Sequence, residues 1–372
     1  MNTNSKIITY INEHPTTWRD DFAELLISIR ESGDLAIFVY GANADFSNPI
    51  VCEARGIIID LANMEVVCWP FRKFNNWDSP NADDINWNTA CVQEKVDGSI
   101  IKRYYYNNEW YWATNGVINA ENAPLYMDIQ SSVIKNYLEL IKMAENYSDA
   151  IELFTNPELT YIFELTSPYN TCIVEYPTTM LTLIGIRNNL TGKEYTYHGD
   201  FKTPIKYSAK NFEECKKLMS TMNKKGKVTN EGFVVVDHQF NRIKIKTEEY
   251  FAMHHVINNG HLNKMDMIKL AIDNSKILTD IKVKYPILAP EIDYYIEQAH
   301  KFVADVDKAI TDAKILFNSY EGDRKKFAET VKNDSLSAVM FYAITNLAKD
   351  YVKSLMANSY IDSKIPNYKE AK

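Results

Sequence analysis

Cysteine is scarce in this chain. Cys52, Cys68, Cys91, Cys172 and Cys215 are odd in number, scattered, and form no CxxC pair, which excludes a disulfide framework and a structural zinc site. No run approaches the roughly eighteen apolar residues of a transmembrane helix. The opening MNTNSKIITYINEHPTTWRD has no apolar signal-peptide core. A soluble protein of a reducing cytosol is expected. Glycine-rich phosphate loops are missing too: there is no GxGxxG and no GxxxxGK[ST], so Rossmann and P-loop readings drop out. No repeat or low-complexity tract is present. Positive charge is also short, with 41 Lys/Arg against 49 Asp/Glu and a net of −8. That balance would ordinarily argue against a polynucleotide partner.

The charge is unevenly placed. Residues 202–246 hold eleven Lys/Arg against four Asp/Glu, a net of +7, whereas residues 1–201 carry −14 and residues 247–372 carry −1. The basic stretch reads either as a solvated helix and turn or as a local phosphate-binding surface.

At 372 residues, two domains are the natural prior. Short β-rich runs at Leu35–Val39, Gly56–Asp60 and Glu65–Trp69 are broken by Gly, Asn and Asp. A polar loop covers 75–89. Ile100–Tyr106 and Glu109–Ala113 flank Asn107-Asn108, a hairpin signal, with Tyr104–Tyr106 and Trp110–Trp112 packing it. Residues 124–147 read as a helix, and TYIFEL, TCIVEY and MLTLIGI within 160–186 as strands. Residues 211–223 read as a helix, and EGFVVVD (231–237) and FNRIKIK (240–246) as a strand pair turning at Asp237–Gln239. The period then changes. Ile292, Ile296, Ala299, Val303, Val306, Ile310, Ala313 and Leu316 form one helical stripe, and Leu336, Met340, Ala343, Leu347, Tyr351 and Leu355 a second. A shorter one covers 261–279. The expectation is an α+β domain of antiparallel sheets at 1–247 and an all-helical domain at 248–372.

The residues with chemistry are few. Lys95 precedes an Asp97-Gly98 turn, and in extended chain Lys95 and Asp97 share a face. A lysine with a lowered pKa is a nucleophile, although KxDG alone is more often a surface hairpin. Glu231-Gly232 opens an apolar strand. Lys244 and Lys246 project from one strand face, where they can embrace a phosphate. Arg55-Gly56 opens GIIID, and Glu164 ends YIFE. His254, His255 and His261 lack an acidic partner at ligand spacing and read as structural or surface residues, not as zinc ligands.

In order, Glu53-Ala54-Arg55-Gly56, Trp69–Asn75 with Lys73, Lys95-Val96-Asp97-Gly98-Ser99, Phe163-Glu164, Leu181–Arg187, Glu231-Gly232 and Lys244/Lys246 resemble the motifs of the covalent nucleotidyltransferases. Within these, the set is similar to the phage RNA ligase 1 family, over roughly residues 35–250. One element departs: where the family has Ser-Lys-Gly, this chain has Thr114-Asn115-Gly116.

The resemblance implies a ligase/capping-type nucleotidyltransferase domain and an ATP-dependent RNA ligase. Lys95 would take AMP from ATP, pass it to a 5′-phosphate, and a 3′-hydroxyl would then close the phosphodiester. It implies that Lys244 and Lys246 lower the Lys95 pKa and hold the α-phosphate. Glu231 would bind Mg2+ (or Mn2+) and Glu164 the ribose hydroxyls; Asp97 would touch the metal or shape the turn. Arg55 and Lys73 would hold phosphate. The implied partner is RNA, such as a tRNA broken in its anticodon loop, met by a cytoplasmic monomer with no membrane contact. Two alternatives use part of the same pattern: a DNA ligase or capping enzyme, which normally appends an OB-fold after the last lysines, and a non-catalytic RNA-binding protein.

Overall fold

The computed structural model describes residues 5–125, 134–222, 228–247, 250, 257–258, 261–262, 264–273, 275–284, 288–345 and 363–368. The chain divides into two compact units, Met1–Tyr250 and Phe251–Lys372.

The first unit is built from antiparallel sheets. β1 (Ile27–Ser32), β2 (Leu35–Tyr40), β3 (Arg55–Asp60) and β4 (Glu65–Cys68) lie in sequential order. Their side chains alternate between two buried faces. Ala36, Phe38, Ile57 and Ile59 pack on helices α1 (Lys6–Glu13) and α2 (Trp18–Glu24). Ile37, Ile58 and Cys68 pack on Tyr104 and Ala113 of the second sheet.

Ten strands follow among the described residues of this unit: β5 (Asn75–Asn76), β6 (Cys91–Glu94), β7 (Ser99–Tyr106), β8 (Glu109–Thr114), β9 (Leu159–Thr166), β10 (Met180–Asn188), β11 (Glu194–Tyr195), β12 (Lys206–Tyr207), β13 (Gly232–Val236) and β14 (Arg242–Lys246). They form two sheets, β11-β10-β9-β7-β8 and β12-β6-β13-β14-β5, in which only the β14–β5 pairing is parallel. Asn107 and Asn108 both take positive φ, +47° and +65°, the turn that a two-residue hairpin demands. Among the short helices are α3 (Pro49–Glu53), α4 (Tyr137–Lys142) and α5 (Tyr147–Leu153), and a longer one, α6 (Phe212–Met222), follows β12.

The third sheet decides where the chemistry sits. Val92, Phe233, Val235, Ile243 and Ile245 face α6, whose Cys215, Leu218 and Met222 cover them. By the period of two, Gln93, Val234, Arg242, Lys244 and Lys246 face the other way. There Val234 meets Ile100, Ile162 and Ile184 of the second sheet across Phe71 and Phe74. The cleft between these two sheets carries the polar residues.

Two sequence expectations fail here. The 124–147 helix is replaced by the separate α4 and α5, with residues 126–133 outside the described set. TCIVEY forms no strand. Ile173 and Val174 are buried as a strand's would be, but their N–H groups are spent on a side chain described below.

The second unit opens with a short antiparallel pair, Ile257–Asn258 with His261–Leu262. Helices α7 (Lys264–Asp273), α8 (Ser275–Lys284), α9 (Ala289–Ser319), α10 (Arg324–Val331) and α11 (Ser337–Ala343) follow. The expected fold class, antiparallel sheets followed by a helical bundle, is what the structure shows. α9 buries Ile292, Tyr295, Ala299, Phe302, Val306, Ala309 and Ala313, the predicted stripe broadened by its aromatic neighbours. Leu347, Tyr351, Leu355, His254 and His255 lie outside the described residues.

Candidate active site

Lys95 directly follows β6, and its N–H donates to Gly232 O at 2.9 Å. The chain then turns sharply. A Cβ on Gly98 would stand 2.3 Å from Leu165 O, so only glycine lets the turn lie this close to β9. Gly232 has φ of +141° and would drive a Cβ to 2.0 Å from Ile245 O. These two close approaches bring the Lys95 turn, the end of β9, the start of β13 and the end of β14 together.

The turn is clamped from outside. Asp97 is 4% exposed. Its Oδ2 accepts N–H bonds from Ile173 (2.9 Å) and Val174 (2.8 Å), and its Oδ1 accepts from Tyr250 Oη (2.7 Å). The Asp97 N–H donates to Tyr176 Oη at 3.1 Å. Both Asp97 oxygens are therefore occupied in holding the turn. Burial first, and then the carboxylates of Glu231 and Asp97, push the Tyr250 phenol well above its ordinary range.

Glu231 is 3% exposed and bridges two lysines. Lys95 Nζ donates to Oε2 at 2.8 Å, and Lys246 Nζ lies 3.0 Å from Oε1. Burial opposes charge on Lys95, but Glu231, Glu164 and Asp97 together outweigh it and raise its pKa. The lowered pKa expected for Lys95 is thus not found; three carboxylates surround it, and they dominate over Lys244 and Lys246. The depressed lysine is Lys244. Burial, then Lys246, Lys95, Lys73 and Arg55, bring it down to about 7. Among the described residues its ammonium has no carboxylate at ion-pair distance.

Glu164 lies at the same point. Its Oε1 accepts the Gly98 N–H at 3.2 Å. Burial raises its pKa to about 7, with Lys95 opposing and Glu231 adding to the rise. Arg55 lays its guanidinium against Phe71 and Phe74, 4.9 and 5.1 Å from the ring centroids. Lys73 donates to Asn75 Oδ1 at 2.7 Å and stands 3.5 Å from the Phe46 centroid.

Sequence reasoning missed four residues. Lys102 is fully buried and donates to Gly56 O, beside the backbone of Asn115, whose Oδ1 has no hydrogen-bond partner among the described residues. Burial, with a smaller contribution from the Arg55 charge, lowers Lys102 to about 8. Arg242 forms a two-pronged pair with Glu194 at 2.6 and 3.0 Å. Tyr176 and Tyr250 hold the turn. The one signal for Arg242 was its place two residues before Lys244 on the same strand face. A pocket of about 70 Å³ opens against Lys95, Arg55 and Glu164. A larger cavity of about 440 Å³ adjoins it past Gln93 and Arg242 toward Tyr195 and Lys206, without reaching Lys95.

The chain as a whole is similar to known proteins. No family model matches the chain. A candidate bifunctional polynucleotide kinase/RNA ligase of Autographa californica nuclear polyhedrosis virus is 27% identical over 317 residues, 80% of this chain and 44% of that protein. A candidate RNA ligase of Thermovibrio ammonificans is 25% identical over 250 residues, 63% of this chain and 61% of that protein. The chain is related to the ATP-dependent polynucleotide ligases. That relationship is at the level of the ligase superfamily and is no finer. The chain spans about half the length of these curated relatives. Among solved structures, an archaeal ATP-dependent RNA ligase is similar at 14% identity, covering 82% of each chain with a TM-score of 0.46. A candidate ATP-dependent DNA ligase of Aquifex aeolicus is similar at 14% identity, covering 90% of this chain and 89% of that one with a TM-score of 0.43.

Arg55, Lys73, Lys95 and Lys246, joined by Lys244 when protonated, stand against Glu231 and the ionised form of Glu164, with Asp97 withdrawn into the clamp. Such a cleft attracts a polyphosphate. Among the described residues no three His, Cys, Asp or Glu side chains group to hold a metal. Among the same residues, Glu231 is the one carboxylate paired with Lys95. A single protein carboxylate completed by phosphate oxygens and water is a donor set that suits Mg2+. Asp97, with both oxygens held in the clamp, does not fit that role; the oxygens of Glu231 are held by Lys95 and Lys246, so Glu231 would have to release one of these lysines to take the ion. Among the described residues no helix is long and apolar enough to cross a membrane.

Proposed function

We propose that the chain is an ATP-dependent RNA ligase of the phage RNA ligase 1 type, joining a 3′-hydroxyl to a 5′-phosphate through a lysyl-AMP on Lys95. One observation carries this reading. Arg55, Lys73, Lys95, Glu164, Glu231 and the Lys244/Lys246 pair come from six separate segments and meet in one cleft, with the Lys95 ammonium on Glu231 at 2.8 Å.

The chain's residues divide the work. Lys95 loses its proton and Nζ bonds the α-phosphorus of ATP as pyrophosphate departs. Lys244 and Lys246, fixed on one strand face, stabilise the charge that develops on the α-phosphate. Arg55 and Lys73 bind phosphate of the nucleotide or of the RNA end, and Glu164 orients the ribose. Glu231 would hold Mg2+ (or Mn2+), which when bound offsets the triphosphate charge. Asp97 fixes the turn. The curated relatives carry RNA ligase in their names, and among the described residues a short strand pair and then five helices follow β14. We assign the substrate to single-stranded RNA ends, such as a tRNA broken in its anticodon loop, acted on by a monomer in the cytoplasm.

The test is incubation with α-labelled ATP and Mg2+, resolved on a denaturing gel. Covalent label that Lys95→Ala abolishes is expected. Folded, AMP-free protein that takes no label across metals and pH values overturns the reading. Offering matched 5′-phosphorylated RNA and DNA strands to the labelled protein then separates an RNA ligase from a DNA ligase.

A further inference from the structure

One lysine carries a charge that packing does not call for. Lys102 of β7 is 0% exposed, and among the described residues no carboxylate is one of the charges that act on it. A methionine would fill the same space without the cost of burying an ammonium. The group that Lys102 reaches is the Gly56 carbonyl, which belongs to β3 in the neighbouring sheet.

Gly56 is the odd residue of β3. Phe38 pairs with Ile57 and Val39 with Arg55, so Gly56 has no partner on β2. The pairing of β3 with β4 begins only at Ile58. Gly56 is thus a bulge, with φ of +77°, and its residue is buried outside both ladders. A buried carbonyl without a strand partner needs another donor, and Lys102 Nζ supplies it. A Cβ on residue 56 would meet that ammonium at 2.7 Å and would also meet the Asn115 carbonyl oxygen, so the bulge is closed in from the side of β7 and β8.

The bulge decides where Arg55 goes. Ile57 and Ile59 face α1 and α2, and Ile58 faces the second sheet. Unbroken alternation would put Arg55 under the helices with Ile57 and Ile59. The extra residue breaks that alternation. The Arg55 guanidinium lies instead 4.9 and 5.1 Å from the ring centroids of Phe71 and Phe74, which pack with Ile162 between the second and third sheets. There it lines the small pocket with Lys95 and Glu164. The Arg55 charge disfavours the Lys102 charge, so the two are not an attractive pair; what links them is the Gly56 backbone.

We propose that Lys102 is a positioning residue for Arg55: by holding the Gly56 carbonyl it fixes the bulge that delivers the guanidinium to the phosphate-binding cleft. This rests on the ligase reading for the identity of the phosphate, but its test needs no adenylylation.

The probe is inorganic tripolyphosphate, titrated into the full chain at neutral pH and fixed salt and followed by calorimetry. Lys102→Met is expected to weaken binding on the order of tenfold, a coupling typical of residues that act as one unit. Arg55→Ala should weaken it at least as much, and the double variant no further than Arg55→Ala alone. Urea unfolding checks that each variant is folded. A second measurement reads Arg55 itself, through the reaction of its peptide with phenylglyoxal followed by mass spectrometry. With tripolyphosphate saturating each protein, Arg55 should be protected in the wild type and exposed to the reagent in Lys102→Met. Affinity within twofold of wild type in a folded Lys102→Met protein overturns the proposal. Equal losses from Lys102→Met with and without Arg55 also overturn it, because the lysine would then act on the fold or the field as a whole. So does full protection of Arg55 in saturated Lys102→Met protein. Absence of label from ATP on Lys95, with the coupling between Lys102 and Arg55 intact, sinks the ligase reading and leaves the positioning role standing.

Discussion

Lys95 donates to Glu231 Oε2 at 2.8 Å inside a site where the glutamate is 3% exposed. The candidate nucleophile is therefore held as an ammonium ion, its charge stabilised by Glu231, Glu164 and Asp97 against the opposing effect of burial. A lysine attacks only when neutral, so loosening this pair is part of reaching the reactive state. Glu231→Gln is expected to lower the pH midpoint at which Lys95 reacts with an amine-specific reagent, measured by mass spectrometry of the Lys95 peptide. An unchanged midpoint would show that the pair does not control the proton.

The Asp97 clamp gives a second expectation. Tyr250→Phe removes the 2.7 Å donor to a buried carboxylate, leaving Ile173 and Val174 to hold it. The loss should be about 1–3 kcal/mol, the usual cost of one donor to a buried charged acceptor, and should appear as a lower urea midpoint. Because the clamp sits two residues from Lys95, the rate of lysine labelling by ATP should fall as well. A variant of wild-type stability and rate would remove Tyr250 from the turn's support.

How much of this was legible follows from the kind of signal each residue carried. Period-two patterning placed Lys244 and Lys246 on one face of β14 and Ile243 and Ile245 on the other, as the structure has them. Glu231-Gly232 was visible because it opens a strongly apolar strand; the close approach of Gly232 to Ile245 O was not. Ile173 and Val174 misled, since apolar residues in an alternating run look like a strand whether their N–H groups meet another strand or the Asp97 carboxylate. Lys102 was invisible: β7 reads as an ordinary amphipathic strand, and burial of its lysine depends on Gly56, forty-six residues away. The proton state of Lys95 was also beyond sequence, because it depends on which of several nearby charges lies closest.

Phosphate affinity should depend on pH near neutrality. Lys244 is lowered to about 7 chiefly by burial and then by four neighbouring cations, so its positive charge is lost as pH rises through that value. Glu164, raised to about 7 chiefly by burial, gains negative charge over the same range. Both changes weaken anion binding. Affinity for inorganic tripolyphosphate, followed by calorimetry from pH 6 to 8, is expected to fall with rising pH. Lys244→Arg, which keeps its charge throughout, should flatten much of that fall, and Glu164→Gln should flatten the remainder. A wild-type affinity independent of pH over this range would contradict both assignments.

The buried Lys102 makes stability itself depend on pH. Its folded-state pKa is lowered to about 8 from 10.5 by burial, since its contact with Gly56 O supplies no countercharge. Between those two values the unfolded chain binds more protons than the folded one, so this residue's cost is full below about pH 8 and is relieved as pH rises toward 10.5. Lowering a pKa by a factor of ten in acidity corresponds to about 1.4 kcal/mol, so the full relief is on the order of 3 kcal/mol, of which about 2 kcal/mol falls between roughly pH 7.5 and 9.5. Lys102→Met keeps the buried stem but removes the titrating group. Urea unfolding of both proteins at the two pH values isolates the effect from every other titration in the chain. The wild type should gain about 2 kcal/mol relative to the variant on going to the higher pH, and parallel pH dependences would mean that Lys102 is not held in the low-dielectric interior the structure shows.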